Sequence, residues 1–300
     1  MAELYAECSP EEAPPTAEGF RHWVKSEPER ARFRLWVAED GGRLVGFAMA
    51  ALHWSTSTRG VGWIWAGVRE GERRRGLGSA LFARGEEHLR AHAARKLESF
   101  TLEGGGGDTF LQGRGYRRTR VELKQVLDLS RVEAGDAARY VERKAREGFT
   151  LVPLEALRDR PLDVHAVYAA ATADIPADDP EDDVRFEDWE AQDLRDPELS
   201  SEGSFVVLHE RRPVALAFLL VNADAGVAAN EMTGTLPEYR GRGLARLAKL
   251  ATIRWAAERG LGAVHTGNDS ENVPMLALNR SLGYDVRWRR MFFAQERGLA

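Results

Sequence analysis

A turn motif that occurs twice constrains this chain more than any other feature of its sequence. The first copy is Arg73-Arg74-Arg75-Gly76-Leu77-Gly78, and the second is Arg240-Gly241-Arg242-Gly243-Leu244-Ala245. Each copy follows an apolar run typical of a strand and opens the apolar rhythm of an amphipathic helix. A glycine-rich turn at a helix start leaves backbone N–H groups unpaired. These donors and the positive end of the helix dipole both favour the binding of a pyrophosphate. The repeat therefore predicts two phosphate-binding turns.

The repeat extends to both sides of the turns, which favours two homologous domains over a chance match. The matching segments are, in order, Leu4-Tyr5-Ala6 with Val167-Tyr168-Ala169, Asp40-Gly41-Gly42 with Glu210-Arg211-Arg212, and Gly115-Tyr116 with Gly283-Tyr284. We predict an α/β protein with one domain over residues 1–130, a linker helix over 131–148 and a second domain over 149–300. The linker helix should begin at the capping box Ser130-Arg131-Val132-Glu133.

Both halves repeat one order of predicted elements: a hairpin, a strand into the turn, a long helix, a short strand, a small helix and a last strand. The predicted strands are 34–38, 44–52, 60–68, 98–102 and 121–127 in the first half, and 149–152, a hairpin over 205–222, 227–235, 263–266 and 289–293 in the second. The second half also has a stretch from Phe149 to Leu162 without a counterpart. The first domain is therefore expected to lack its opening strand. Either the reading frame starts late, or another segment completes that sheet edge.

Composition excludes several classes of protein. The 300 residues are 43% hydrophobic and 30% charged, which predicts soluble globular domains, and the net charge of -5 argues against a nucleic-acid-binding protein. Cys8 is the one cysteine, so the chain has no intrachain disulfide and a cytoplasmic setting is expected. No membrane span or signal peptide is predicted. His53, His88 and His265 have no metal-ligand spacing, and no metal is predicted.

At these turns the chain resembles the GNAT acetyltransferase superfamily, whose signature is Arg/Gln-x-x-Gly-x-Gly/Ala after the fourth strand. Leu236 to Ala245 is a close match, and Val68 to Gly78 is a good one with Glu70 where proline is usual. A second family motif is matched by Asn272, Met275, Leu278, Leu282, Gly283 and Tyr284. The resemblance covers nearly the whole chain. It implies two tandem GNAT-like domains, each a mixed, mostly antiparallel sheet flanked by helices, in a layout similar to that of mycothiol synthase.

The resemblance implies an enzyme that uses acetyl-CoA to acetylate a primary amine of a small molecule by direct attack on the thioester. In the family the turn binds the pyrophosphate of acetyl-CoA, and the strand before it pairs with the pantetheine arm. Carried over, the cofactor-binding residues are Thr233, Thr235, Arg240, Gly241, Arg242, Gly243, Leu244, Ala245 and Asn272 in the second half and Arg73, Arg74, Arg75, Gly76, Leu77 and Gly78 in the first. Asn272 precedes Val273-Pro274, so a helix N-cap is an equally good interpretation of it.

Glu231 is the predicted general base, because family members often supply a glutamate from this strand. It could instead face solvent or pair with an arginine. Strand alternation would place Glu231, Thr233 and Thr235 on one face, and the aligned residue of the first half is Ile64, which cannot accept a proton. Asn279 occupies the position at which the family usually has a tyrosine that acts as the general acid. Its amide can hydrogen-bond the thioester or sulfur but is a poor proton donor. Water could protonate the thiolate instead.

The first domain is expected to be catalytically weaker than the second. Leu111 occupies its tyrosine position, and the glycine run Gly104 to Gly107 replaces the stretch that holds Asn268 and Asn272. The acidic segment Asp174 to Asp183 could select a cationic amine or could be solvated helix-start acids. A catalytically silent acyl-CoA-binding or regulatory protein is the alternative function, and the pattern leaves a monomer and a homodimer open.

Overall fold

The structure, a computed structural model, describes residues 1–132 and 135–296. Its strands form one continuous 11-stranded sheet that is flanked by helices. None of the helices in these described ranges is long and apolar enough to cross a membrane.

The first half begins with two helices and continues with five strands. Its elements are α1 (Ala2–Cys8), α2 (Ala17–Ser26), β1 (Arg34–Asp40), β2 (Arg43–Leu52), β3 (Val61–Val68), α3 (Leu77–Ala91), β4 (Lys96–Leu102), α4 (Gly107–Gln112) and β5 (Arg117–Asp128). A connecting helix, α5 (Gly135–Arg146), leads to the second half.

The second half repeats this order after an additional strand and helix. Its elements are β6 (Phe149–Pro153), α6 (Pro161–Thr172), α7 (Phe186–Trp189), β7 (Phe205–His209), β8 (Arg212–Asn222), β9 (Val227–Thr235), α8 (Leu244–Glu258), β10 (Ala263–Asp269), α9 (Val273–Ser281) and β11 (Asp285–Glu296). A π-helical turn, Glu190–Leu194, directly continues α7.

Local signals in the sequence set several of these boundaries. Gly41 and Gly42 have φ angles of 58° and 82°, the left-handed conformation that a tight hairpin turn needs, and the predicted turn between β1 and β2 is confirmed. Asn272 caps α9, since its side chain accepts a hydrogen bond from the N–H of Met275 at 3.3 Å.

The predicted capping box of the connecting helix lies partly outside the described residues, because Glu133 is not among them. Ser130 lies in a short 3₁₀ turn, where its N–H donates to the carboxylate of Asp128 at 3.0 Å. The described part of α5 begins at Gly135, directly after the residues outside the described ranges, so the predicted start of the linker helix stays a prediction.

The last strand of each half is inserted into the other half. The strand order is β1-β2-β3-β4-β11-β5-β10-β9-β8-β7-β6, so β11 lies between β4 and β5, and β5 lies between β11 and β10. All three of these new neighbour pairs are antiparallel. The α/β fold with mixed, mostly antiparallel pairing is confirmed, but the two sheets expected from the sequence are joined into one.

The exchanged strands β5 and β11 also place side chains in the hydrophobic core of the other half. Met291 and Phe293 of β11 are buried with Ile64 and Phe82 of the first half, whereas Leu127 of β5 is buried in a cluster of the second half. Burying one such side chain contributes about 1.5–3 kcal/mol. The exchange therefore stabilises each half through side chains of the other.

At the outer end of the first half, β1 is an edge strand. Residues 1–33 are all described and form helices but no strand, so this half has no counterpart of β6. The helices α1 and α2 instead pack their apolar side chains against the first-half sheet, where Leu4 and Phe20 are buried with Phe47 and Trp65.

Each half contains one parallel strand pair that separates along its length. The pairs β3–β4 and β9–β10 are each registered over only their first three residue pairs, Val61–Trp63 with Lys96–Glu98 and Val227–Ala229 with Ala263–His265. Beyond these pairs the strands diverge toward the glycine turns. The fold thus creates an opening in the sheet directly before each turn.

Candidate active site

Two adjoining cavities occupy the region around the opening between β9 and β10. The first, here called the splay cavity, has a volume of 390 Å³ and lies between the two strands, with Asn230–Thr233, Lys249, Thr266–Asp269 and Asn272 among its lining residues. The second, here called the interface cavity, has a volume of 490 Å³. Its walls come from both halves of the chain, with Tyr5, Glu12–Pro15, Phe20 and Trp23 on one side and Gln192, Asp193, Asp196 and Glu198 on the other.

Three residues line both cavities: Glu122, Glu231 and Arg290. Arg290 donates a hydrogen bond to the carboxylate of Glu122 at 3.2 Å, so Glu122 has a cationic partner. Glu231 makes no hydrogen bond or ion pair within the described ranges. It is therefore the free carboxylate at the junction of the two cavities.

A β-bulge aims Glu231 into this junction. Ala217 of β8 pairs with Thr233, but Leu219 pairs with Asn230, so Glu231 and Met232 together lie opposite the single residue Phe218. Two residues opposite one interrupt the alternation of side chains, and bulges often re-aim a side chain beside a functional site. Burial along β9 nevertheless alternates from Glu231 to Gly234, as the sequence predicts, with Met232 and Gly234 buried, and Thr235 departs from this alternation because it is buried too.

The environment of Glu231 brings its titration close to neutral pH. Its side chain is open to the water of the cavities but is surrounded by protein on all sides. This burial raises the pKa of Glu231 to about 7, and the negative charge of Glu12 contributes in the same direction. A carboxylate with such a pKa can take up and release a proton at physiological pH.

Lys249 places a buried ammonium group in the splay cavity. The residue lies on α8, is 1% exposed, and has no hydrogen-bond acceptor or acidic partner among the described residues. Its Nζ lies 4.9 Å from the centroid of the Tyr284 ring. Burial lowers the pKa of Lys249 to about 7. Sequence reasoning missed this residue, because a lysine within the apolar stripe of a helix usually extends its ammonium group to water.

A buried hydrogen-bond network fixes the groups around this ammonium. The hydroxyl of Tyr284 donates to the side-chain oxygen of Asn230 at 2.7 Å, and the amide of Asn230 donates to the hydroxyl of Thr252 at 3.2 Å. Because the Tyr284 hydroxyl proton is engaged, Tyr284 offers its ring rather than its hydroxyl to Lys249.

Asn279 does not line either cavity. It is completely buried, and its amide donates to Asn268 at 2.7 Å and to Gln125 at 3.0 Å. Asn279 thereby fixes Asn268, which does line the splay cavity. Its predicted contact with the thioester stays a prediction that this geometry does not support, since the burial separates its amide from the cavity space.

The other predicted residues of the strand and of α9 lie around the opening. Thr233 and Asn272 line the splay cavity, and Asn272 also caps α9. Thr235 is buried next to the glycine turn, and its hydroxyl oxygen has no hydrogen-bond partner within the described ranges.

The glycine turn of the second half presents a row of unpaired donors. The backbone N–H groups from Gly241 to Arg246 donate no hydrogen bond to the described chain, and no acidic residue lies in the first turn of α8. Gly241 and Gly243 have φ angles of 74° and 73°, which bend the backbone so that these donors lie at the helix start. The side chain of Arg240 holds the turn by donating to the carbonyl of Thr235 at 3.2 Å.

The connecting helix α5 packs onto this turn. The hydroxyl of Tyr140 donates to the carbonyl of Gly243 at 3.0 Å. Three cationic groups lie near the centroid of its ring, those of Arg143, Lys144 and Arg246. The guanidinium of Arg143 is the nearest of them, at 4.5 Å. Unpaired N–H groups, the positive helix end and these cations together form a site suited to a phosphorylated anion.

The glycine turn of the first half has the same construction. The N–H groups from Arg74 to Ser79 are also unpaired within the described ranges, and Arg73 donates to the carbonyl of Val68 at 3.0 Å. Gly76 has a φ angle of 83°. Arg74 has a φ angle of 64° at the position that Gly241 occupies in the second half, so the first turn holds a strained arginine there.

The opening that precedes the first turn differs from its counterpart. The pairing of β2 with β3 continues without a register shift, so β3 has no bulge against β2, and Ile64 is completely buried. The rings of Trp65 on β3 and Phe100 on β4 meet with their centroids 5.3 Å apart. Aromatic side chains thus occupy the space between the separating strands.

The acidic segment Asp174 to Asp183 binds the first half of the chain instead of forming a free acidic wall. Asp182 accepts hydrogen bonds from the N–H of Ser57 at 2.6 Å and from its hydroxyl at 2.7 Å. Asp179 pairs with Lys96, and Asp174 pairs with Arg240 of the glycine turn. Asp178 also pairs with Arg120 at 3.8 Å and Asp183 with Arg185 at 4.0 Å, so four of the six carboxylates in this segment have a cationic partner.

The acidic wall that does exist lines the interface cavity. Burial, assisted by the charge of Glu231, raises the pKa of Asp193 to about 7, and burial also raises the pKa values of Asp196 and Glu198. None of these three carboxylates has an ion-pair partner within the described ranges. Sequence reasoning missed them because a π-helical turn and the loop after it bring them to the cavity.

Comparison with known proteins relates both halves to one family. A family model described as the acetyltransferase (GNAT) family matches residues 1–104 and 164–284. Among curated protein sequences, none is similar enough to count as a relative.

Solved structures share the fold over almost the whole chain. A tandem GNAT protein from the clavulanic acid biosynthesis pathway is 24% identical, with a TM-score of 0.71 over 99% of this chain and 93% of its own. A GCN5-related N-acetyltransferase from Sphaerobacter thermophilus is 18% identical, with a TM-score of 0.67 over 99% of this chain and 92% of its own. A putative acetyltransferase from Pyrococcus horikoshii is 15% identical, with a TM-score of 0.57 over 99% and 85%.

Proposed function

This chain belongs to the GNAT family of acetyltransferases, and on that premise we propose that it transfers the acetyl group of acetyl-CoA to a primary amine of a small cationic molecule. The second half carries out the reaction. The observation that carries this proposal is the position of Glu231, an unpaired carboxylate at the junction of two cavities.

The residues of the second half fit acetyl-CoA as the acyl donor. The N–H groups of Gly241 to Arg246 would bind its pyrophosphate, with the cations next to Tyr140 nearby. The separated edge of β9 would pair with the pantetheine arm and direct it into the splay cavity. When bound there, acetyl-CoA supplies an acetyl group that is activated as a thioester.

Glu231 would act as the general base. An amine in the interface cavity is protonated at neutral pH and becomes a nucleophile only when it loses its proton. Because burial raises the pKa of Glu231 to about 7, its carboxylate can accept that proton near neutral pH more readily than an ordinary glutamate.

The interface cavity supplies the acceptor site. Asp193, Asp196 and Glu198 give it excess negative charge, which favours a cation, while Phe20 and Trp23 add apolar walls that suit a short carbon chain. The acceptor would reach the thioester beside Glu231, at the junction of the two cavities.

We assign no transfer step to the first half. Ile64 replaces the base, the strand has no bulge, and Trp65 and Phe100 fill the opening where a thioester would lie. The unpaired N–H groups of Arg74 to Ser79 still offer an anion site, so this half can retain affinity for a phosphorylated ligand without turnover.

The test is release of CoA from acetyl-CoA with a panel of neutral amines, monocationic amines and diamines. We expect turnover with cationic amines and a loss of roughly 10²–10⁴-fold in kcat for Glu231→Gln, as is typical of a lost general base. Glu181→Gln is the matched control, because Glu181 lines only the splay cavity and should affect kcat much less. Tight CoA binding without turnover of any amine would instead support a silent acyl-CoA-binding protein.

A further inference from the structure

We propose that Lys249 is the acid of the reaction, and that its ammonium group protonates the thiolate of CoA as it departs from the acetyl group. This inference rests on the proposed function and deepens it. It assigns the acidic role to α8, whereas the family motif would have placed it at Asn279 on α9.

Lys249 buries its ammonium group without an acidic partner among the described residues. An ammonium group that leaves water loses several kcal/mol of hydration unless an acceptor compensates it. Lys249 is 1% exposed, and the ring of Tyr284 at 4.9 Å is its main compensating contact. A ligand that brings a developing negative charge into the splay cavity would supply the missing partner.

The charged groups around the splay cavity leave this role to Lys249. Arg120 pairs with Asp269 at 3.3 Å, and Arg290 pairs with Glu122 at 3.2 Å. The remaining carboxylates that line the cavity are Glu181 and Glu231, and neither lies within ion-pair distance of Lys249. Among the described lining residues, Lys249 is the cation that no carboxylate neutralises.

The contrast between the two halves is a second, independent line of argument. When the sequences of the two glycine turns are aligned, Leu244 matches Leu77 and Lys249 matches Phe82. Phe82 is buried in the apolar core of the first half, where the opening is filled and Ile64 replaces the base. The buried cation thus occurs in the half that has the bulge, the unpaired carboxylate and the cavity.

The proposed step balances in atoms and charge. The protonated amine first loses one proton to Glu231, and its nitrogen then forms a bond to the acetyl carbon while the bond from that carbon to sulfur breaks and leaves its electron pair on sulfur. The nitrogen loses its second proton to water as the amide forms. Lys249 gives one proton to this sulfur, and exchange with solvent restores both side chains. Because burial lowers the pKa of Lys249 to about 7, proton transfer to a thiolate with an ordinary pKa of about 8.5 is favourable.

The decisive experiment titrates the thiol of bound CoA through the ultraviolet absorbance of its thiolate, with free CoA as the probe. A cation beside the sulfur should raise the acid dissociation constant of the bound thiol about tenfold or more over that in Lys249→Met. Lys249→Arg, which keeps the charge, should retain most of this effect. Arg254→Met is the control, because Arg254 is exposed on α8 and pairs with the exposed Glu258. Equal thiol titrations in wild type and Lys249→Met would overturn the proposal.

A kinetic readout separates this proposal from the proposed function. Lys249→Met should lower kcat about 10²-fold and remove the loss of activity at alkaline pH, while the affinity for CoA changes little. Unchanged kcat and an unchanged alkaline limb would contradict a role for Lys249 as the acid. If the wild type binds CoA but acetylates no amine, the proposed function fails, and the thiol titration still decides whether Lys249 meets the sulfur.

Discussion

At the scale of single residues, Glu231 combines a predicted chemical role with a cost in stability. Its pKa in the folded protein is about 7, above the ordinary value of 4.5, so the folded state binds its proton more tightly than the unfolded state. The stability that comes from the protonated form is therefore lost as the pH rises from about 4.5 through about 7. A carboxylate whose ionisation lowers the stability of the folded protein near neutral pH is typical of a functional site.

We expect Glu231→Gln to be more stable than the wild type at pH 8, because glutamine has the same shape and does not ionise. Below about pH 4 the two proteins should be equally stable, since Glu231 is then protonated in both states. Urea unfolding at both pH values measures the difference. The control Glu258→Gln alters an exposed carboxylate and should show no such pH dependence. An effect of Glu231→Gln that is equal at the two pH values would contradict the burial argument.

The residues of the site differ in how far the sequence could predict them. Glu231 could be predicted because its position relative to the glycine turn follows a family pattern. Lys249 could not, because a lysine in an apolar stripe usually extends its ammonium to water, and only the packing around α8 shows that it does not. Asp193 also depends on packing, since a π-helical turn determines where it points.

At the scale of elements, the two glycine turns differ in how much they tolerate a side chain. Gly241 and Gly243 both have left-handed backbones, and no atom of the described residues lies within 4 Å of a Cβ added at Gly241. A Cβ at Gly243 would collide with the hydroxyl of Tyr140. The first turn already holds Arg74 in the conformation of Gly241.

We therefore expect Gly243→Ala to be more damaging than Gly241→Ala. Both variants should lose about 1–2 kcal/mol from left-handed strain. Gly243→Ala should in addition displace Tyr140 and α5, and so weaken CoA binding more than Gly241→Ala does. Isothermal titration with CoA and urea unfolding check both effects. Equal CoA affinity in the two variants would show that the contact between α5 and the turn is unimportant for binding.

The elements themselves were predicted well where the signal is local, and poorly where it depends on a partner strand. The strand over 227–235 was predicted with its observed bounds, because its apolar run and the turn after it are both local features. The bulge at Glu231 was missed, since one extra residue is defined only relative to the strand beside it.

At the scale of the whole molecule, Arg290 connects three segments that are far apart in sequence. This residue of β11 donates to Glu122 of β5 at 3.2 Å and to Glu11 of the N-terminal segment at 2.8 Å, and it also pairs with Glu12. Arg290 and Glu11 are both buried, so their ion pairs compensate for the hydration that these charges lose on burial.

We expect Arg290→Met to destabilise the protein by about 3–5 kcal/mol, because it leaves buried carboxylates without a partner. Arg287→Met on the same strand is the matched control; Arg287 is half exposed, its nearest acid is Asp285 at 3.9 Å, and its loss should be worth less than about 1 kcal/mol. Urea unfolding at pH 7 measures both. Similar losses in the two variants would show that the buried network adds nothing to stability.

The exchange of β5 and β11 could not be predicted from the sequence. Both strands have patterns that fit any neighbour in a sheet, and the repeat itself suggests that each half completes its own sheet. The structure instead places Met291 and Phe293 of the second half in the core of the first. The two halves are thus related by homology but are not independent in packing.

We therefore expect that neither half folds alone. A fragment of residues 1–132 would lack β11 between β4 and β5, so it would expose an apolar core and two unpaired strand edges, and residues 133–300 would lack β5 in the same way. Each fragment alone should show no cooperative thermal transition, whereas the two fragments produced together should form a 1:1 complex that melts cooperatively. Circular dichroism and analytical ultracentrifugation measure these outcomes. If residues 133–300 alone melted cooperatively at the temperature of the intact chain, the exchanged strand would be dispensable for the catalytic half, because the core that Leu127 helps to fill would then form without it.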